Sequence, residues 1–318
     1  MKALIFNSGY GKRMGDFTKT HHKCQAVLKN GETILERQIR VLASCGITEF
    51  VITTGPFKEQ IIATTKLPRF ADLKFTFVDN PIYDQTNYIY SMYLAKELLD
   101  DDFLLLHGDL VFNRASVIKA LSCPAPSTGM VNAEKALPEK DFKARVVDGK
   151  VREVSIHIFD DNCMAFQPLY KLDHATLQAW LCRVSEFIEK GVDGVYAENA
   201  LNEIAWDLNI EALSYADGFV DEVDNLDDLA RVSEAIRYFD YKEQMTLEGE
   251  NAITDMAAFL KLNCVKKPLI VCGRFEKTGL KERFEALGVN VYEKYGFTKI
   301  GDYKTIYDSI DQLFYKDI

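Results

Sequence analysis

The chain of 318 residues has no C-x-x-C pair, no zinc-spaced histidines, no apolar run of membrane-spanning length and no excess of positive charge. Each absence excludes a class. Seven cysteines, at 24, 45, 123, 163, 182, 264 and 272, are an odd number without paired spacing, so they read as reduced thiols of a cytoplasmic protein and not as a disulfide framework. The five histidines offer no zinc pattern, because His21 and His22 are adjacent and poorly placed to share one metal. Without a long apolar run no membrane insertion is expected, and the first residues enter a strand and not a signal peptide. A net charge of −10 and a calculated pI near 5.1 leave no broad basic face, so nucleic acid is not an expected partner. There is also no internal repeat and no low-complexity tract. The length suffices for one large domain with a full core plus a smaller unit.

What is present is concentrated at the start. The apolar strand Ala3, Leu4, Ile5, Phe6 runs into Asn7, Ser8, Gly9, Tyr10, Gly11, Lys12, Arg13, Met14 and Gly15, with Lys23 downstream. Glycines let backbone approach a ligand closely, and consecutive loop amides can cradle an anion. Lys12, Arg13 and Lys23 concentrate positive charge in an otherwise acidic chain. The dinucleotide fingerprint G-x-G-x-x-G fails because Met14 stands where the third glycine belongs, and the P-loop pattern fails because Asp16 and Phe17 follow Gly15. A triphosphate-binding loop of the form G-x-G-x-R-M plus a later lysine fits. An ordinary strand-to-helix turn with exposed lysines is the plainer alternative.

Apolar strand-length runs alternate with helical patterns through the first half. Residues 34–43 have helical spacing with Gly46 as C-cap, 50–54 and 74–78 read as strands, 88–99 as a helix and 103–106 as a continuous apolar strand. This order predicts an α/β fold with a mostly parallel, Rossmann-like sheet covered by helices on both faces, its ligands at the carboxyl ends of the strands. Residues 142–156 alternate around Asp148-Gly149 and predict an antiparallel hairpin insertion. Leu226, Leu229, Val232, Ile236 and Phe239 mark an amphipathic helix closing a domain over residues 1–241. A helical connector is expected over 242–262, then a partial α/β unit over 263–318 with strands at 269–272 and 289–292.

Two carboxylates are singled out. Asp109 follows the strand at 103–106, and Asp224 precedes the closing helix. Carboxylates distant in sequence but converging on one site can hold Mg²⁺ against a triphosphate, since this ion takes one or two carboxylates with water and phosphate oxygens. A turn residue at 109 and a helix N-cap at 224 are the structural alternatives.

On these residues the first 240 or so positions resemble the bacterial choline-phosphate and aminoethylphosphonate cytidylyltransferases, within the sugar-nucleotidyltransferase superfamily. Residues 7–23 are collinear with the nucleotide loop, 54–60 with the segment bordering the base, Asn87 and Ser91 with the asparagine-then-serine helix start, and 107–109 and 222–225 with the metal-binding segments. The resemblance implies that Arg13 and Lys23 are catalytic and contact phosphates. It implies that Asn7, Ser8, Gly9, Tyr10, Gly11, Lys12, Gly55 and Asn87 bind nucleotide, and that Asp109 and Asp224 bind Mg²⁺. Ser91, Tyr196 and Glu198 are the acceptor-binding candidates within the matching segments; Arg145 and Lys143, on the expected hairpin, are cations that can meet the acceptor's phosphonate, with exposed strand charges as the plainer alternative. The sequence departs from the family at His22, where a proline usually precedes the lysine, and at Asp16. Ala197 stands where choline enzymes carry a tryptophan, which removes an aromatic face for a quaternary ammonium.

The expected reaction is transfer of CMP from CTP to a small phosphonate or phosphate-monoester acceptor, such as 2-hydroxyethylphosphonate, 2-aminoethylphosphonate or phosphocholine, with release of pyrophosphate. A sugar-1-phosphate nucleotidyltransferase and a non-catalytic nucleotide-binding module remain alternatives. The tail resembles the opening of an iron-containing alcohol dehydrogenase without its glycine-rich turn. It is expected to be the start of a longer domain, in contact with the rest of a fused dehydrogenase, and to carry no dehydrogenase activity itself.

Overall fold

The computed structural model describes residues 1–242, 251–262, 269–273, 279–288 and 293–297. The chain divides into two compact units, Met1–Gln244 and Met245–Ile318.

Three parallel crossovers build one half of the first unit's sheet. Strand β1 (Lys2–Asn7) is followed by helix α1 (Ile34–Ser44), β2 (Glu49–Thr54), helix α2 (Lys58–Thr65), β3 (Lys74–Asp79), helix α3 (Tyr88–Ala95) and β4 (Phe103–His107). These strands lie in the order β3-β2-β1-β4, all parallel. Alternate side chains face opposite sides of a strand. Leu4, Phe6, Val51 and Leu105 pack in one cluster with Ile89 and Met92 of α3. Ala3, Ile5, Ile52 and Leu106 point the other way and are also fully buried, so both faces are covered. Helix α1 begins with a capping box between Thr33 and Glu36 and ends where Gly46, at φ 91°, turns the chain into β2.

Beyond β4 the sheet becomes mixed. Strand β5 (Leu110–Phe112) leaves the main sheet, helix α4 (Arg114–Ser122) follows, and β6 (Ser127–Asn132), β7 (Lys143–Val147), β8 (Lys150–Ser155) and β9 (Cys163–Leu172) come next. Strand β9 runs antiparallel to β4, to β6 and, at its first residues, to β7. The expected hairpin is β7–β8, and its turn residues Asp148 and Gly149 both take positive φ, 51° and 72°. Helices α5 (His174–Glu189) and α6 (Ala197–Asn202) then precede β10 (Ile210–Ser214), which pairs with β6 and β8. Strand β11 (Val220–Glu222) pairs antiparallel with β5 in a two-stranded ribbon, and helix α7 (Leu226–Lys242) closes the unit. Along α7, Val232 and Ile236 are buried with Met14, Ala26 and Leu28. Arg37 of α1, 1% exposed, ties down the end of that helix through a two-pronged pair with Asp240, both contacts 2.7 Å.

In the second unit, helix α8 (Ala252–Leu262) packs Ala257 against Phe284 of helix α9 (Leu280–Ala286), and β12 (Leu269–Gly273) pairs in parallel with β13 (Glu293–Phe297). The expected strand over 289–292 lies outside the described residues, and the described strand starts at Glu293. No described helix is long and apolar enough to cross a membrane.

Candidate active site

The carboxyl ends of β1 and β4 open into a cavity of about 270 Å³. Strand β1 delivers Asn7 and Ser8 to its floor, and the chain then turns through Gly9 and Gly11. Gly11 sits at φ 68°, and a Cβ there would stand 2.9 Å from Lys23 Cβ. The position therefore requires glycine on two counts, a left-handed backbone and the close passage of the Lys23 stem. A Cβ on Gly108 would meet Asn7 Oδ1 at 1.9 Å, which lets the β4–β5 turn lie directly on the end of β1.

Lys23 is the centre of the floor. Its ammonium, on a side chain only 8% exposed as a residue, donates to Asp109 at 2.7 Å and to Asp224 at 2.6 Å. Burial alone would lower the Lys23 ammonium, but the two carboxylates outweigh it and hold it above its ordinary value. Burial works against the Asp109 charge, and the Lys23 ammonium reverses this and keeps the carboxyl below the usual range. Arg13 reaches Asp224 from the exposed side at 2.6 Å.

Asp109 and Asp224 are joined by the β5–β11 ribbon. Glu222 pairs with Leu110, and the Val223 amide donates to the Asp109 carbonyl at 3.0 Å. Asp224 is not the helix cap, because Asn225 Oδ1 accepts from the amides of Asp227 and Asp228. Its carboxylate is left for Lys23 and Arg13. The ribbon also brings in Glu222. Burial, then Asp109 and Asp224, pushes its carboxyl well above the ordinary range. Burial, aided by Lys23, pushes the facing His107 imidazole down to about 4. Ligand atoms of His107, Asp109 and Glu222 lie within 4.8 Å of one another, as do those of Asp141, Glu222 and Asp224.

The opposite wall is aromatic. Tyr88 stacks edge-on to His107 with centroids 4.6 Å apart, and Phe142 lies edge-on to Tyr196 at 5.1 Å. Several buried polar atoms around the cavity have no hydrogen-bond partner: both amide atoms of Asn7, Nε2 of His22 and of His107, the Tyr88 hydroxyl and Asp109 Oδ1. Such orphans are costly in a closed protein and mark a cavity shaped for a polar occupant.

Of the residues singled out from sequence, Asn7, Ser8, Gly9, Gly11, Arg13, Lys23, Asn87, Tyr196, Asp109 and Asp224 line this one cavity. Six others do not. Lys12 is exposed and Tyr10 half-buried on the outer side of the loop. Gly55 stands behind the loop, where a Cβ would meet the Ser8 carbonyl at 2.4 Å. Ser91 is fully buried and braces the floor through Ser8 Oγ at 2.6 Å and Asn80 at 3.0 Å. Arg145 is taken by Glu153 and by Asp160 on the hairpin surface, so it does not line the cavity. Glu198 turns into the core and accepts from the Tyr170 hydroxyl at 3.0 Å. Lys143 is also buried away from the cavity, donating to the carbonyls of Pro138 and Ile156. Sequence reasoning missed Glu222, Asp141, Tyr88 and Phe142 as site residues. Only the neighbourhood of Glu222 and Asp224 carried a signal.

Residues 3–141 match the family of MobA-like NTP transferase domains. The chain is 32% identical over 137 residues to a CMP-5'-(3-aminopropyl)phosphonate synthase of Streptomyces rubellomurinus, covering 43% of this chain and 21% of that protein. It is 32% identical over 114 residues to a choline-phosphate cytidylyltransferase of Haemophilus influenzae, covering 36% of this chain and 46% of the relative. The chain thus spans less than half the length of either relative. In fold it resembles the CTP:phosphocholine cytidylyltransferase of Streptococcus pneumoniae, with a TM-score of 0.58 at 18% identity over 74% of this chain and 98% of that one.

Proposed function

We propose, from the match of residues 3–141 to MobA-like NTP transferase domains, that the chain is a Mg²⁺-dependent cytidylyltransferase, moving CMP from CTP to a small phosphonate or phosphate-monoester acceptor and releasing pyrophosphate. The observation that carries this reading is Lys23 held between Asp109 and Asp224 directly beneath the glycine loop. The names of two partial relatives, a phosphonate and a choline-phosphate enzyme, support the acceptor class.

The residues fit a divalent cation. Asp109 Oδ1 is buried without a partner, Asp224 lies on the same floor, and an all-oxygen donor set suits a hard ion. Bound Mg²⁺ would neutralise triphosphate charge and polarise the phosphoryl group under attack. Asp109 and Asp224 would hold it, with Glu222 and Asp141 nearby.

The chain's own groups do the positioning. Amides of the loop from Ser8 to Gly11 face the anionic triphosphate, and Arg13, whose side chain is 61% exposed, can swing from Asp224 to phosphate at little cost. Lys23 brings a fixed cation to the point where acceptor oxygen and α-phosphorus meet. The acceptor oxygen is already anionic near neutral pH, so no general base is required, and His107, pushed down to about 4, would be a weak one. Tyr88, Phe142 and Tyr196 form the wall against which the organic part of the acceptor lies.

The test is pyrophosphate release from CTP, UTP, GTP and ATP with Mg²⁺, each against phosphocholine, 2-aminoethylphosphonate, 2-hydroxyethylphosphonate and glucose 1-phosphate. Release with CTP and one of the first three is expected and is abolished by EDTA. Release with glucose 1-phosphate alone overturns the acceptor class, and nucleotide binding without turnover points to a binding module.

A further inference from the structure

His22 immediately precedes Lys23 and lines the same cavity, yet the reaction described above gives it no part. It is 3% exposed. Its Nδ1 accepts a hydrogen bond from the Cys24 amide at 3.2 Å, capping the short turn that carries Lys23. An amide nitrogen can only donate, so Nδ1 carries no hydrogen and the neutral ring must carry its hydrogen on Nε2. Burial pushes the imidazole down to about 4; the Gly9 and Asn7 carbonyls pull the other way without outweighing burial and Lys23, so the ring is neutral at pH 7. Nε2 is buried beside the Gly9 and Asn7 carbonyls, and neither meets it in the geometry of a hydrogen bond. The backbone fixes the ring as well, since the His22 amide donates to Gln60 Oε1 at 3.0 Å. The ring is thus held at both ends with one oriented, unpaired donor at the cavity.

We propose that His22 is a nucleotide-binding residue whose Nε2–H donates to an anionic oxygen of the bound triphosphate. The inference rests on the nucleotide reading of the cavity. A neutral donor suits this place because Lys23 and Arg13 already bring positive charge, and a third cation would be repelled by Lys23 beside it. It also gives the loop a directional contact, where the ammonium of Lys23 supplies charge from below.

Two substitutions separate the roles of the ring. In His22→Asn the side-chain oxygen can still accept from the Cys24 amide, but the donor at the Nε2 position is lost. In His22→Gln the amide nitrogen reaches close to the Nε2 position while the cap is lost. For H22N, KM for CTP is expected to rise about tenfold or more, the worth of a hydrogen bond to a charged oxygen, with Tm and acceptor KM little changed. H22Q is expected to recover part of that CTP affinity with a lower Tm. A purely structural histidine gives the reverse order, with H22Q the more impaired, and overturns the proposal.

A measurement on the unaltered protein needs no variant. In ¹⁵N-histidine-labelled chain, the His22 Nε2–H resonance is expected to shift downfield with CTP and with pyrophosphate, and to stay in place with cytidine. An Nε2–H that ignores pyrophosphate, or moves equally with cytidine, overturns the proposal. If CTP binds and turns over normally in H22N, the inference falls and the cytidylyltransferase reading stands. If the unaltered chain binds no nucleoside triphosphate, that reading falls first and the inference falls with it.

Discussion

Lys23 and Asp224 stand 201 positions apart in the chain and hold a 2.6 Å ion pair on the cavity floor. Removing the ammonium leaves Asp109 and Asp224 facing each other with only Arg13, on the exposed side, to compensate, and removes the fixed cation of the proposed reaction. Lys23→Ala is expected to lower kcat by about 10² to 10³, the scale for losing one preorganised group that stabilises developing charge. KM for CTP should change far less. A pyrophosphate-release assay at saturating substrate reads this, and a mutant with unimpaired kcat would exclude Lys23 from the transition state.

Asp109→Asn keeps the shape of the side chain and removes one negative charge. Activity is expected to fall by at least about a hundredfold and the Mg²⁺ concentration for half-activity to rise, because that ion is held through very few carboxylates. A metal titration of the variant checks it. Equal Mg²⁺ dependence in variant and parent would remove Asp109 from the proposed metal site.

Gly11→Ala places a methyl group 2.9 Å from Lys23 Cβ at a residue with φ 68°. The left-handed backbone alone costs about 1–2 kcal/mol for a residue with a Cβ. Both Tm and kcat should therefore fall together, since relief of the contact moves the Lys23 stem. A fall in Tm with kcat untouched would mean that the stem has room to give.

Arg37 is buried among Glu32, the Phe112 carbonyl and Asp240. Arg37→Met takes the donor from the Phe112 carbonyl and from Asp240, while Glu32 keeps Arg40 and Asn30, and breaking such a buried pair costs about 3–5 kcal/mol. Chemical denaturation should show the change in midpoint. Because Asp240 anchors the end of α7, protease cleavage near the end of that helix should accelerate as well.

Burial pushes the Glu198 carboxyl up to about 8 from an ordinary 4.5. Between those values the folded chain keeps a proton that the unfolded chain has released. By linkage the Glu198 contribution is fully present below about 4.5, declines as pH rises and is gone above about 8. Glu198→Gln keeps an acceptor for Tyr170 and carries no charge, so it should be the more stable protein at pH 8 and show a shallower decline of Tm from pH 5 to 8. Parallel Tm profiles for the two proteins would show that Glu198 is not the group responsible.

The parallel half of the sheet and the glycine loop were legible because they are local: four apolar runs, the spacing of Gly9, Gly11 and Arg13, and Asp148-Gly149 each state their structure within a few residues. Asp109 and Asp224 were legible as separate candidates. What joins them, the three-residue strands β5 and β11, is too short to show a period, so neither the ribbon nor the approach of Glu222 could be read. Arg145 and Glu198 lie outside the cavity, and for a related reason the sequence did not show it. A charged residue in a strand or helix states its chemistry but not its direction, and here one side chain turned to Glu153 and Asp160 and the other to Tyr170. Ser91 sits one layer below the surface that the ligand would touch.

The β5–β11 ribbon also sets a timetable. A nascent chain emerging from the ribosome has the glycine loop, Lys23 and Asp109 once residue 109 is made, and the stretch up to residue 141 already holds the whole matched domain. Yet Asp224 comes only with residues that follow β11, and until they arrive Lys23 has one of its two carboxylates and β5 has no partner strand. The site is therefore completed late in synthesis, and a chain interrupted between β6 and β10 would hold the recognisable motif without the means to close it.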